Sequence, residues 1–133
     1  MAVIIEQTTI EQTQKVSKQT IVLANLPVQI SEKVIFIKHT SLKDGNMTAQ
    51  DLYEKTRHDW KLKPTRAAKA ELVFAIYNCK VVEVYIPERW FEEINTKRLT
   101  FEGKVAPFHI RDKYIGLHLP NFATVRYPAS YSY

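Results

Sequence analysis

The chain has 133 residues, 45% hydrophobic and 25% charged, with a net charge of +5, and is long enough to bury a core without disulfides. Its one cysteine, Cys79, excludes an internal disulfide and a cysteine-cluster metal site, and no apolar run approaches the roughly 18–20 residues of a membrane span. The opening "MAVIIEQTT" has no cationic leader pattern, so a cytoplasmic setting and a single domain over 1–133 are expected.

Residues 1–32 are rich in Gln, Thr, Val and Ile and hold no aromatic. Val3-Ile4-Ile5 and Ile21-Val22-Leu23 are expected as short strands around a weak helix over Thr9 to Lys18, together forming an N-terminal extension that pairs with the main sheet. Lys33 to His39 is the first strong strand, followed by a turn at Asp44-Gly45. A helix is expected from Thr48 to Trp60. Thr48 caps it, Asp51 completes a capping box, and Leu52, Tyr53, Thr56 and Trp60 share one stripe. Pro64 blocks its continuation, and "TRAAKA" supports one more helical turn.

Leu72–Tyr77 and Lys80–Ile86 form a hairpin turning at Asn78-Cys79, with Pro87 ending the second strand. Arg98 to Ala106 is another strand, with Gly103 as a bend or bulge, and "HIRDKYIG" is a short helix stopped by Gly116. The segment 117–133 contributes a C-terminal strand and an aromatic tail, "RYPASYSY", whose last residues are expected to be loose. The order predicts an α+β fold: a strand-rich, mostly antiparallel, barrel-like sheet with two or three short helices.

The charge is concentrated. Lys55, Arg57, Lys61, Lys63, Arg66 and Lys69 face a single nearby acid, Asp59, so this segment carries the whole net excess of the chain. Such a patch attracts polyanions. Binding an unpaired base takes a flat ring for stacking and cations for the phosphates. Tyr53, Trp60 and Trp90 supply the rings; Arg57, His58, Lys61, Lys63, Arg66 and Lys69 supply the polar and cationic groups. Arg57, with its fork of donors between two aromatics, is the leading candidate, and Arg57→Ala and Lys63→Ala are expected to weaken binding without unfolding the protein. Core packing is the competing reading for the three aromatics, and a solvated surface is the competing reading for the cations.

The segments "MTAQDLYEKTRHDWKL", "KAELVFAIYNCKVVEVYIPERW" and "LTFEGKVA…IRDKYIG" together resemble a family of small, uncharacterised bacterial domains, over roughly residues 33–116. That family in turn resembles the PUA-like superfold of ASCH, EVE and YTH domains. The resemblance implies a small β-barrel whose mouth binds RNA or a modified base. Cys79, where a small residue is expected, and "GLHLPNFATVRYP" depart from the family pattern and touch the details of any binding mouth.

The expected function is therefore a nucleic-acid-binding module for single-stranded or unpaired bases, modified bases included, with RNA and DNA both open. Two alternatives stand beside it. One is a metal-independent nuclease or small hydrolase on the same fold, using His39 or His58 as general base. The other is a protein-interaction or inhibitor module whose basic face meets an acidic partner. No catalytic residue is assigned: HExxH and G-x-S-x-G are absent, and the three glycines are too scattered for a phosphate loop. No metal ligand, cofactor or membrane partner is expected.

Overall fold

In the computed structural model, which describes residues 29–42 and 47–133, the run VIFIKH forms strand β1, Val34–His39. The chain divides into two units, Met1–Ser31 and Glu32–Tyr133, and the second is described below. The N-terminal strands and helix, their pairing with the sheet, and the Asp44-Gly45 turn lie outside the described residues. After β1 come helices α1 (Ala49–Arg57) and α2 (Pro64–Ala67), then strands β2 (Leu72–Tyr77), β3 (Lys80–Glu92) and β4 (Leu99–Val105). Helix α3 (Phe108–Tyr114), a 3-10 turn at Pro120–Ala123 and strand β5 (Ala129–Tyr131) complete the unit.

The fold is α+β, and the described strands form a five-stranded sheet in the order β4-β3-β2-β1-β5. Its strands are not all antiparallel: β1 and β2 run parallel, with Val34 opposite Leu72 and His39 opposite Tyr77. A parallel pair needs a crossover of a dozen residues or more, and the stretch 40–71, with α1 and α2, provides it. Among the described residues the sheet is open, with β4 and β5 as its edges, so the expected barrel closure is not formed by these strands.

Both faces of the sheet are covered. Ile35, Ile37, Val73, Ala75, Tyr85, Leu99 and Phe101 are buried in one cluster with Leu62 and Ala67 from the α2 region. On the other face Phe36 meets Phe74 and Phe122 at centroid distances of 5.7 and 5.1 Å, and Tyr114 of α3 meets Phe74 at 4.9 Å. Burial on both faces explains why β1 and β2 are nearly continuous apolar runs with little alternation. No described helix is long and apolar enough to cross a membrane.

Three local expectations change. Helix α1 stops at Arg57, not Trp60, because Asp59 takes φ 66° and Trp60 turns into a backbone bridge with Leu99 of β4. Its start is as read: Thr48 and Asp51 form a reciprocal capping box. Strand β3 continues through Pro87 to Glu92, since the missing N–H falls at a bulge where the register to β4 shifts between Pro87 and Arg89. The tail is docked: Ser132 N–H donates to the Val34 carbonyl at 2.8 Å, and Val34 N–H donates to Ser132 Oγ at 2.9 Å.

The hairpin turn has φ 51° at Asn78 and 62° at Cys79, the positive pair that a two-residue type I′ turn requires. A β-carbon is disfavoured there, and glycine is the usual occupant of the second position. Cys79→Gly is expected to stabilise the unit by about 0.5–1 kcal/mol, seen as a higher urea midpoint at unchanged slope.

Candidate nucleic-acid interface

The nine residues singled out in the sequence fall into four settings. Tyr53, Arg57 and Trp60 belong to the packing of α1 on the sheet. Tyr53 hydroxyl donates to the Gly103 carbonyl at 3.2 Å and accepts from Gly103 N–H at 3.0 Å, with its ring 5.6 Å from Tyr85. Trp60 Nε1 donates to the Thr56 carbonyl at 2.6 Å. The Arg57 side chain is only 12% exposed. Its Nε donates to the Phe101 carbonyl at 2.8 Å, and its terminal nitrogen meets Glu54 at 3.1 Å and the His58 ring at 2.9 Å. Arg57 also lies over the Tyr53 ring, 5.4 Å from its centroid. The guanidinium is thus held inside the fold, between α1 and β4.

His58 lies at the end of α1 in a polar cluster. Its Nε2 is 2.9 Å from Glu54 Oε1, and its Nδ1 is 3.4 Å from Glu93 Oε2. Burial acts upward on Glu54, but hydrogen bonds from His58 and Arg57 bring its carboxyl below the usual range. Glu93 is lowered chiefly by the Thr100 hydroxyl, which donates to it at 2.7 Å, with burial opposing and His58 assisting.

Lys61, Lys63, Arg66 and Lys69 form the third setting, and all are exposed. Among the described residues none of the four is in an ion pair. The short helix α2 begins at Pro64, whose fixed φ and missing N–H suit a first helical position. The docked tail braces this loop. Lys63 N–H donates to the Tyr131 hydroxyl at 3.0 Å, and the Tyr133 hydroxyl donates to the Arg66 carbonyl at 2.5 Å. The Arg66 guanidinium lies 4.0 Å from the Tyr131 ring centroid and 5.4 Å from that of Tyr133.

Beside the loop is a surface cleft of about 380 Å³, lined by Pro64, Ala68 and Ala70 on one side and by Pro87 through Glu92 and Leu99 on the other. Trp90 is in this lining, 5.1 Å from Phe101, and its buried Nε1–H lacks a hydrogen-bond partner among the described residues. Arg89, over the Phe91 ring at 4.7 Å, pairs with Glu102 at 2.8 Å. Sequence reasoning missed Tyr131, Tyr133 and Arg89. The first two stand in an aperiodic tail and meet the loop only through long-range docking; the third is on strand only because β3 passes Pro87.

His39, the other candidate base, sits against α1, with Nε2 3.0 Å from Thr56 Oγ1. Burial, with the Lys55 charge adding, pushes its imidazole down from 6.5 to about 4. The ring is neutral at pH 7. The unfolded chain takes up this proton first as pH falls, so stability is complete above 6.5 and declines down to about 4. The loss is expected to be about 2 kcal/mol, less than the full shift because the ring is partly solvated. His39→Gln should flatten that part of the stability–pH curve in urea titrations.

Compared with known proteins, the chain matches no family model, no curated protein and no solved structure.

Proposed function

We propose that this domain binds single-stranded or unpaired nucleic acid on the face built by Lys61–Lys69, the docked tyrosines and the Trp90 cleft. The observation that carries the reading is the set of four exposed cations without carboxylate partners among the described residues, one of them, Arg66, stacked on Tyr131. Arg57, Arg89 and Arg111, by contrast, are each engaged with a carboxylate. Cations with no carboxylate partner lose least when they trade water and counterions for phosphate. An arginine already held against a ring offers a guanidinium plane on which a base can stack. The kinship to PUA-like domains and the cytoplasmic setting belong to the same proposal; the kinship rests on the quoted motifs, the setting on the single cysteine.

Binding of labelled single-stranded RNA, single-stranded DNA and duplex DNA, followed across salt concentrations, tests it. With three to five phosphate contacts, log affinity should fall against log salt with a slope of about −2 to −4. Removing Lys61, Lys63 and Lys69 together by alanine should make the slope shallower by about 2 units without lowering the urea midpoint. No binding at low salt sinks the proposal, and equal competition by an acidic polypeptide moves the face to a protein partner.

A further inference from the structure

The cluster around His58 has a chemistry of its own, separate from the cationic face. Three side chains, His58, Asp59 and Glu93, bring one donor atom each to within 4.8 Å of one another. They come from the end of α1 and from the connection between β3 and β4. Asp59 reaches the cluster because its backbone is left-handed, φ 66°, and that turn is held by its N–H donating to Thr100 Oγ1 at 3.1 Å and by Arg98 donating to its carbonyl at 3.4 Å.

The imidazole of His58 faces a carboxylate at each ring nitrogen. In a neutral ring only one nitrogen carries a proton. If Nε2–H donates to Glu54, Nδ1 keeps its lone pair beside the Glu93 carboxylate 3.4 Å away, an arrangement that a cation held between the two satisfies. That one separation is near the roughly 3.3 Å edge expected between ligands of a tetrahedral ion bound at about 2.0–2.1 Å, and the Asp59 carboxylate lies within 4.8 Å of both atoms. The Arg57 terminal nitrogen, 2.9 Å from Nε2, donates to the same Glu54 oxygen. Glu54 is therefore neutralised locally, and Asp59 and Glu93 supply the two negative charges that balance a divalent ion.

We propose that His58 Nδ1, Asp59 and Glu93 bind one divalent transition-metal ion of the zinc class, with Glu54 as the positioning residue that fixes the imidazole tautomer. The outer partners fit this assignment. A metal-bound histidine usually donates its other N–H to a carboxylate, and Glu54 stands 2.9 Å from His58 Nε2 to accept it; bound carboxylates are themselves hydrogen-bonded, as Glu93 is to Thr100. One nitrogen and two oxygens favour zinc over magnesium or calcium, which take all-oxygen shells. A three-ligand set leaves the fourth tetrahedral position for water or an oxygen of a ligand.

The test is calorimetric titration of the full chain, stripped with chelator, with zinc chloride, alongside the visible spectrum of the cobalt-loaded protein. One ion per chain and a four-coordinate cobalt spectrum are expected, with no displacement by millimolar magnesium. Glu54→Gln should weaken zinc about 10-fold through loss of ring orientation. Asp59→Asn, which keeps a residue tolerant of left-handed φ, and Glu93→Gln should each weaken it more, and His58→Gln most. Zinc should raise the melting temperature of the natural chain and not that of His58→Gln. No stoichiometric uptake, or uptake unchanged in His58→Gln, overturns the assignment. Because the site shares no residue with Lys61–Lys69, that failure leaves the nucleic-acid reading standing.

Discussion

Gly103→Ala is expected to destabilise the domain by about 3 kcal/mol, the upper part of the range for forcing atoms into a closed space. A β-carbon at this position would sit 2.1 Å from the Ile86 carbonyl oxygen and 3.0 Å from the Ile86 carbonyl carbon and Pro87 Cα. All three are backbone atoms, so no side chain can rotate away. The close approach arises where β3 passes Pro87 and the register to β4 shifts. A glycine at such a point allows one backbone to touch another. The Gly103 N–H and carbonyl also meet the Tyr53 hydroxyl, so separating the strands there would pull on α1 as well. The measurement is a urea unfolding curve, with near-complete retention of stability counting against this account. Tyr53→Phe, which removes only the hydroxyl, should cost about 1 kcal/mol by the same assay.

Arg57→Ala is expected to lower stability by about 2–3 kcal/mol. The truncation removes the donor to the Phe101 carbonyl, the partner of Glu54 and the cation over Tyr53, and leaves a buried strand carbonyl unsatisfied. Arg57→Lys should recover only part of the loss, since an ammonium cannot span the two acceptors as the guanidinium fork does. The sequence singles out Arg57 as a phosphate-gripping residue whose removal leaves the fold intact; its 12% exposure argues for a packing residue that holds α1 on β4. A loss of nucleic-acid affinity in Arg57→Ala would thus be accompanied by a lower urea midpoint. The lysines Lys61, Lys63 and Lys69 separate the two effects, because their side chains are exposed and outside any ion pair among the described residues.

These two positions show where local and distant causes part. Thr48 and Asp51 are legible as a cap because both partners lie within four residues and their hydrogen bonds close on themselves. Asn78-Cys79 is legible as a turn because two β-rich runs flank it. Trp60 is not legible as the end of anything: it packs on the same core as Leu52 and Tyr53, but the bridge to Leu99 takes the backbone out of the helix. Pro87 reads locally as a strand end, yet β4 supplies a bulge that accommodates it. The aromatic tail has no period, and its order comes from β1, Lys63 and Arg66, each more than sixty residues away in sequence.

For the binding face the division is similar. The sequence by itself determined the α+β class, the capped helix, the hairpin, and the concentration of positive charge between Lys55 and Lys69, because charge, capping and alternation are properties of neighbouring residues. Only the tertiary structure decided that Arg57 is held inside while Lys61, Lys63, Arg66 and Lys69 face solvent, that Tyr131 and Tyr133 brace the loop, and that His58 meets Glu93. It also decided the parallel pairing of β1 with β2. The reason is physical: burial, ion pairing and strand direction depend on which distant segment fills the space opposite, and no local pattern encodes that.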